Sequence, residues 1–186
     1  MSTMEIRWHG RGGQGVVTAN EILAGAALKE GKYIKAFPEF GPERMGAPIR
    51  AFARISDEPI MVHSQVYYPD AVLIIDPTLV KSGTVVEGLK EKGVIIANFP
   101  EEKAKMAHAV GRSENIYAVN ASKIALEEIG KNMTNTAMLG ALVKVTKVVS
   151  LDSIINEMNA KMGGKLSKEV LAKNLNAIKR AYEEVQ

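Results

Sequence analysis

Cysteine is absent from the 186 residues. That excludes disulfides, thiolate catalysis, zinc–thiolate sites and ligation of an iron–sulfur cluster by this chain. Histidine is nearly as scarce: His9, His63 and His108 are scattered and lack metal-ligand spacing. H-E-x-x-H and G-x-S-x-G are both missing, and no Asp or Glu pair stands out as an acid and a base. The sequence therefore offers no catalytic residue and no metal ligand. Charge of one sign is lacking too, since 24 Lys and Arg face 21 Asp and Glu for a net +3, which does not call for nucleic acid. No apolar run reaches the length of a membrane span and no signal peptide opens the chain, so a cytoplasmic protein without a membrane partner is expected. These absences suit a subunit of a larger enzyme better than a self-sufficient catalyst.

What is present begins at Gly10-Arg11-Gly12-Gly13-Gln14-Gly15. The residues before it alternate, with apolar Ile6 and Trp8 between polar Glu5, Arg7 and His9, which predicts a strand over 4–9. After it Val16, Ala19, Ile22, Leu23, Ala26 and Ala27 recur at helical spacing, and Gly31 is placed to close that helix. The glycines thus sit at a strand-to-helix turn. There the unpaired first-turn N–H groups favour an anion such as phosphate, and Arg11 adds positive charge. Gly10, Gly12 and Gly15 also satisfy G-x-G-x-x-G, but the second strand, Tyr33 to Phe37, carries no acidic residue for a ribose. An anion site, a dinucleotide site and a turn built only for packing all remain open at this point. A P-loop does not, because no Gly-Lys-Ser/Thr follows.

A loop with three prolines and two glycines, Pro38 to Pro48, comes next and is too irregular for a helix or a central strand. Long loops of defined shape are often functional, which makes Glu39, Phe40, Glu43 and Arg44 candidates for a cleft or a subunit interface. Ile49 to Ile55 alternates, placing Arg50, Phe52 and Arg54 on one strand face. Such a face suits a nucleotide or a partner, or equally a water-facing side where arginine stems cover a ring. A turn at 56–59 and a short strand at Ile60 to Val62 predict an antiparallel hairpin.

Three apolar runs, Ala71 to Ile75, Val94 to Ala97 and Ile116 to Val119, read as strands buried on both faces. Their polar ends, Asp76, Asn98 and Asn120, lie where such a sheet presents its binding edge, though Asp76 and Asn120 are also good helix caps. Helices are expected near Glu87 to Lys92, Glu101 to Val110 and Ala121 to Ile129. The last third reads as helix at Asn135 to Val149, at Asp152 to Lys161 and after Ser167, with Asn132, Asn135 and Thr136 near a helix start better read as turn and cap residues than as ligand contacts. The fold class expected is a three-layer α/β/α sandwich with a mixed, mostly parallel sheet and a helical C-terminal third, formed as a single domain over 1–186.

Glu5 to Gly15, followed by Ala36 to Pro48, resembles the gamma subunit of the 2-oxoacid:ferredoxin oxidoreductases, most closely those acting on pyruvate. Asn120 to Gly130 and Asn135 to Leu142 are similar to later segments of that family, so the resemblance covers nearly the whole chain. Met45 departs from it, as does Asn120 where a proline is frequent. The resemblance implies one pyruvate/ketoisovalerate-type domain inside a complex with alpha, beta and ferredoxin-like delta subunits. In that complex the partner subunits hold thiamine diphosphate, Mg and iron–sulfur clusters, ferredoxin accepts the electrons, and coenzyme A takes up the acyl group. It further implies that Gly10, Arg11, Gly12, Gly13, Gln14 and Gly15 receive a phosphate-bearing part of coenzyme A, and that Glu39, Glu43 and Arg44 shape the cleft or an interface, to which the loop and strand readings add Phe40, Arg50 and Arg54. An independent dinucleotide-binding protein and a ligand-free assembly subunit are the alternatives.

Overall fold

A computed structural model describes residues 3–39 and 45–186. Phe40, Glu43 and Arg44 lie outside the described residues. The chain forms β1 (Met4–Arg11), α1 (Val16–Lys29), β2 (Tyr33–Pro38), β3 (Pro48–Ser56) and β4 (Ala71–Ile74). Two 3₁₀ turns follow (Pro77–Ser82, Thr84–Val86), then β5 (Val94–Asn98), α2 (Lys103–Val110), β6 (Ile116–Val119), α3 (Ala121–Glu128), α4 (Asn135–Thr146), α5 (Leu151–Met162) and α6 (Lys168–Glu184).

The six strands make one sheet in the order β2-β3-β1-β4-β5-β6. β1, β4, β5 and β6 are parallel neighbours, whereas β3 runs antiparallel to both β1 and β2. β3 is therefore the one reversed strand. It returns from the Pro38–Pro48 loop into the gap between β2 and β1, pairing Gly10 with Ile49 and Phe37 with Phe52.

That insertion overturns the expected hairpin. Both edges of β3 are occupied, so Ile60 to Val62 finds no edge to pair with and is not a strand. The segment after β3 instead crosses the back of the sheet, where Lys35 Nζ donates to Val62 O, and Arg54 donates to Ser64 O at 2.6 Å and to Gln65 O at 2.9 Å. The expected helix over Glu87 to Lys92 is likewise absent. That stretch is turn and irregular chain, interrupted by Gly88 at φ 70° where the backbone passes Tyr67 so closely that a Cβ would stand 2.2 Å from its carbonyl oxygen. The helix expected to reach Val149 stops at Thr146, because Lys147 turns left-handed at φ 52°.

The front of the sheet is apolar. Ile6, Trp8, Ala51, Ala53, Leu73, Ile75 and Ile96 meet α1 and α4, with α3, α5 and α6 completing the cluster. A smaller back core sets Val72, Ile74, Ile95 and Ala97 against the 3₁₀ turns and Met106 of α2. α4 and α6 meet backbone to backbone, since a Cβ on Gly140 would lie 2.0 Å from the carbonyl oxygen of Ile178. No helix among the described residues is long and apolar enough to cross a membrane.

Candidate functional site

The glycine turn stands at the C-terminal edge of the sheet, where β1 hands over to α1. Close approach dictates Gly10: a Cβ there would lie 2.5 Å from Val16 Cγ2, so the missing side chain lets α1 settle on the end of β1. Gly15 is the N-cap of α1 and is left-handed, φ 74°, and a Cβ would also strike Asn135 Nδ2 at 2.4 Å. Asn135, at the first position of α4, donates from that nitrogen to Gly15 O at 3.3 Å. Asn135 is thus a tie between α4 and the turn rather than a cap, whereas Thr136 turns away to donate to Asn174 Oδ1 at 3.1 Å. Gly12 exchanges two backbone bonds with the far side of the loop, its N–H going to Ala47 O and its carbonyl accepting from Gly46 N.

Side chains brace the turn from below. Gln14 Oε1 accepts the Arg11 N–H at 2.8 Å while its Nε2 donates to Asp76 Oδ2 at 2.6 Å. Asp76 also accepts from Thr78 N at 2.9 Å, capping the first 3₁₀ turn as its sequence predicts, and pairs with Arg11 Nε at 3.3 Å. Arg11 also donates from Nη1 to Gly46 O and from Nη2 to Thr78 Oγ1. Burial pushes the Asp76 carboxyl up, but hydrogen bonds from Thr78 and Gln14 and the charge of Arg11 outweigh it and hold the group below the usual carboxylate range. Arg11 is therefore a cross-brace whose charge is partly met by Asp76.

Positive potential for an anion comes from the backbone instead. α1, like α2 and α4, has no side-chain cap and no acidic residue in its first turn, whereas Asn120, Ser150 and Ser167 cap α3, α5 and α6. The N–H groups of Gly13, Gly15, Val16, Val17 and Thr18 take no acceptor among the described residues. They border an open cleft of about 440 Å³ completed by Met45 and Ile49. Such a cleft suits a phosphate beside an apolar group.

The other candidates separate. Glu39 directly follows β2 but is held by Arg50 in a bidentate pair, both bonds 2.5 Å, and so is engaged on the protein side. Arg50 borders a second cleft, with His9 at its floor. Phe52 and Arg54 are 1% and 3% exposed, so the expected water-facing strand side is covered. Arg54 bonds Glu5 at 2.8 Å and anchors the crossing segment away from the glycine turn. Sequence reasoning missed two features. One is an apolar cavity of about 400 Å³ behind the turn, lined by Ile22, Ile129, Met133, Met158, Met162 and Leu166. The other is the buried Arg7–His9 pair, whose only signal was two polar residues alternating with Ile6 and Trp8. Among the described residues no cluster of three His, Asp or Glu is arranged to hold a metal.

Residues 5–184 match the family model described as pyruvate ferredoxin/flavodoxin oxidoreductase. The chain is 48% identical over 182 residues to pyruvate synthase subunit PorC of Thermotoga maritima, covering 98% of this chain and 94% of that protein. The crystal structure of pyruvate oxidoreductase subunit PORC from the same organism superposes with a TM-score of 0.89 at 44% identity, covering 100% and 98% of the two chains. The common gamma subunit of the pyruvate/ketoisovalerate oxidoreductases of Pyrococcus abyssi is 45% identical over 184 residues, covering 98% and 97%. The fold also recurs, at 21% identity and a TM-score of 0.78, over 98% of this chain and 31% of 2-oxoglutarate:ferredoxin oxidoreductase from Magnetococcus marinus, solved with 2-oxoglutarate, coenzyme A and succinyl-CoA bound. A strand–glycine turn–helix edge and matches across nearly its whole length place the chain together: it belongs to the pyruvate ferredoxin/flavodoxin oxidoreductase family, as a gamma-type subunit.

Proposed function

We propose that this chain is the subunit that receives coenzyme A in a cytoplasmic complex converting pyruvate to acetyl-CoA with reduction of ferredoxin, and that 1–186 act as one domain. Alpha, beta and ferredoxin-like delta subunits are the partners in this reading. They carry thiamine diphosphate, Mg and the iron–sulfur clusters, for which a chain without cysteine has no thiolate. The observation that carries the reading is the uncapped start of α1: five backbone N–H groups without an acceptor among the described residues, at the edge of a cleft whose other lining is apolar. A phosphate of coenzyme A completes those donors, and Val16, Val17, Met45 and Ile49 cover an uncharged stretch of the same ligand. Arg11, Gln14 and Asp76 keep the turn in shape, and Glu39 and Arg50 border the neighbouring cleft instead. The coenzyme A found with the Magnetococcus protein agrees with this ligand class.

Val17→Asp separates ligand binding from folding. A carboxylate in the first turn of α1 stabilises the helix yet occupies the place of the phosphate. In the co-expressed complex, assayed by pyruvate-dependent ferredoxin reduction, the KM for coenzyme A should rise about tenfold or more with an unchanged melting temperature of the isolated chain. An unaltered KM would remove the glycine turn from coenzyme A binding. Titration of the same chain with NAD tests the dinucleotide alternative, and saturation by NAD but not by coenzyme A would overturn the reading.

A further inference from the structure

On the back of the sheet Arg7 and His9 project from β1, and His9 lines the second cleft, which meets the first at Ile49. Arg7 is 4% exposed and His9 6%. The Arg7 guanidinium donates to Val85 O at 3.1 Å, to Glu87 O at 2.5 Å and, through Nε, to His9 Nε2 at 3.1 Å. An arginine side chain can only donate, so His9 Nε2 must be the bare acceptor nitrogen and the ring proton sits on Nδ1. Nδ1 takes no acceptor among the described residues, and the ring lines the cleft.

Arg7 itself makes no ion pair among the described residues. Glu39 and Glu87 act on it only at a distance: the first is bound by Arg50, and the second is exposed and meets Arg7 through its carbonyl. A buried cation without a contacting counter-ion costs several kcal/mol, and a bound anion relieves that cost. The local field points the same way, for burial and then the charges of Arg7 and Arg50 push His9 down to about 3. The cleft measures about 340 Å³ and is lined by the hydroxyl residues Ser82 and Thr84 and by Glu39 and Glu87 as well as by His9 and Arg50.

We propose that this second cleft binds a phosphate or carboxylate group, with His9 Nδ1–H and Arg50 as donors and Arg7 as the charge behind them. The site is separate from the glycine turn and does not depend on the coenzyme A reading. Arg50 already orients its fork on Glu39, which leaves Nη1 without an acceptor among the described residues. The incoming anion therefore needs no rearrangement of that pair.

The test uses the full chain with ¹⁵N-labelled histidine rings, titrated at constant ionic strength with inorganic phosphate and, separately, with acetate. The free chain should show His9 as the Nδ1–H tautomer, and its signals should shift saturably while those of His63 and His108 stay. Saturation by phosphate alone marks a phosphoryl site, and saturation by acetate a carboxylate site. Arg50→Gln, an exposed substitution that also releases Glu39 into the cleft, should weaken binding about tenfold. Absence of a His9 response to either anion, an Nε2–H tautomer, or equal non-saturating shifts at all three histidines, the mark of an adventitious ion only, would overturn the proposal.

Discussion

The two faces of β1 and β3 are built from different physics on the same two strands. In front, Ile6, Trp8, Ala51, Ala53 and Ile55 pack against α1 in a dry layer whose stability scales with apolar area removed from water. Behind, Arg7, His9, Arg50 and Arg54 stand around Phe52, and three of these four polar side chains are buried nearly as deeply as the residues in front. The front needs only shape. The back matches most of its donors to a carbonyl, a carboxylate or a ring nitrogen by drawing two segments, 60–68 and 85–87, across the sheet, and leaves His9 Nδ1–H facing the cleft. Both proposed sites lie where the two faces end, because the front delivers the start of α1 to the sheet edge and the back delivers Arg50 and His9.

The contrast is open to attack, first from the front. Trp8 is fully buried, and Trp8→Ala should cost about 3–5 kcal/mol through lost area and the cavity left behind, read from the urea midpoint of the isolated chain. On the back, Arg54→Ala breaks a buried pair with Glu5 and strips donors from two carbonyls. A loss of about 3 kcal/mol is expected, together with proteolytic cleavage within 60–68 that Trp8→Ala does not favour selectively. Equal cleavage in both variants would erase the distinction between the faces. A third effect concerns pH. His9 is pushed down from 6.5 to about 3 in the folded chain, so below pH 6.5 the unfolded state binds a proton that the folded state refuses. Stability is full above that pH and falls as pH drops toward 3, by up to about 1.4 kcal/mol per pH unit for one proton. His9→Gln should remove this component and flatten the acid limb of a stability-against-pH curve. An unchanged limb would show that His9 titrates normally.

Much of this was legible where the signal is local. The alternation of Glu5 to His9, the helical spacing from Val16 to Ala27 and the apolar runs at 71, 94 and 116 report periodicities that the backbone enforces within a few residues. Asp76 before Pro77 capped its turn as expected. The reading failed where occupancy is decided at long range. Nothing within 49–62 reveals that both edges of β3 are already taken, and an alternating Arg-x-Phe-x-Arg looks the same whether water or chain covers it. The Arg11 brace was similarly hidden, since its partners Asp76 and Thr78 lie more than sixty residues away. The tie from Asn135 to Gly15 spans 120 residues and follows only from the placement of α4. His9 offered no signal beyond its alternation, because a polar residue at that phase reads as solvent-facing until the covering segments are seen.

The missing side chain at Gly140 has a consequence for the lifetime of the fold. With α6 lying directly on its backbone and residues 135–143 buried all round, α4 loses its shield only if α6 lifts away and opens the front core with it. Its amide protons should then exchange with solvent only through the largest openings of the molecule. Asn135, at the first position of that helix, is bonded to the carbonyl of Gly15. The turn at the sheet edge, irregular and open to a ligand as it is, is tied at one end to a helix buried along most of its length.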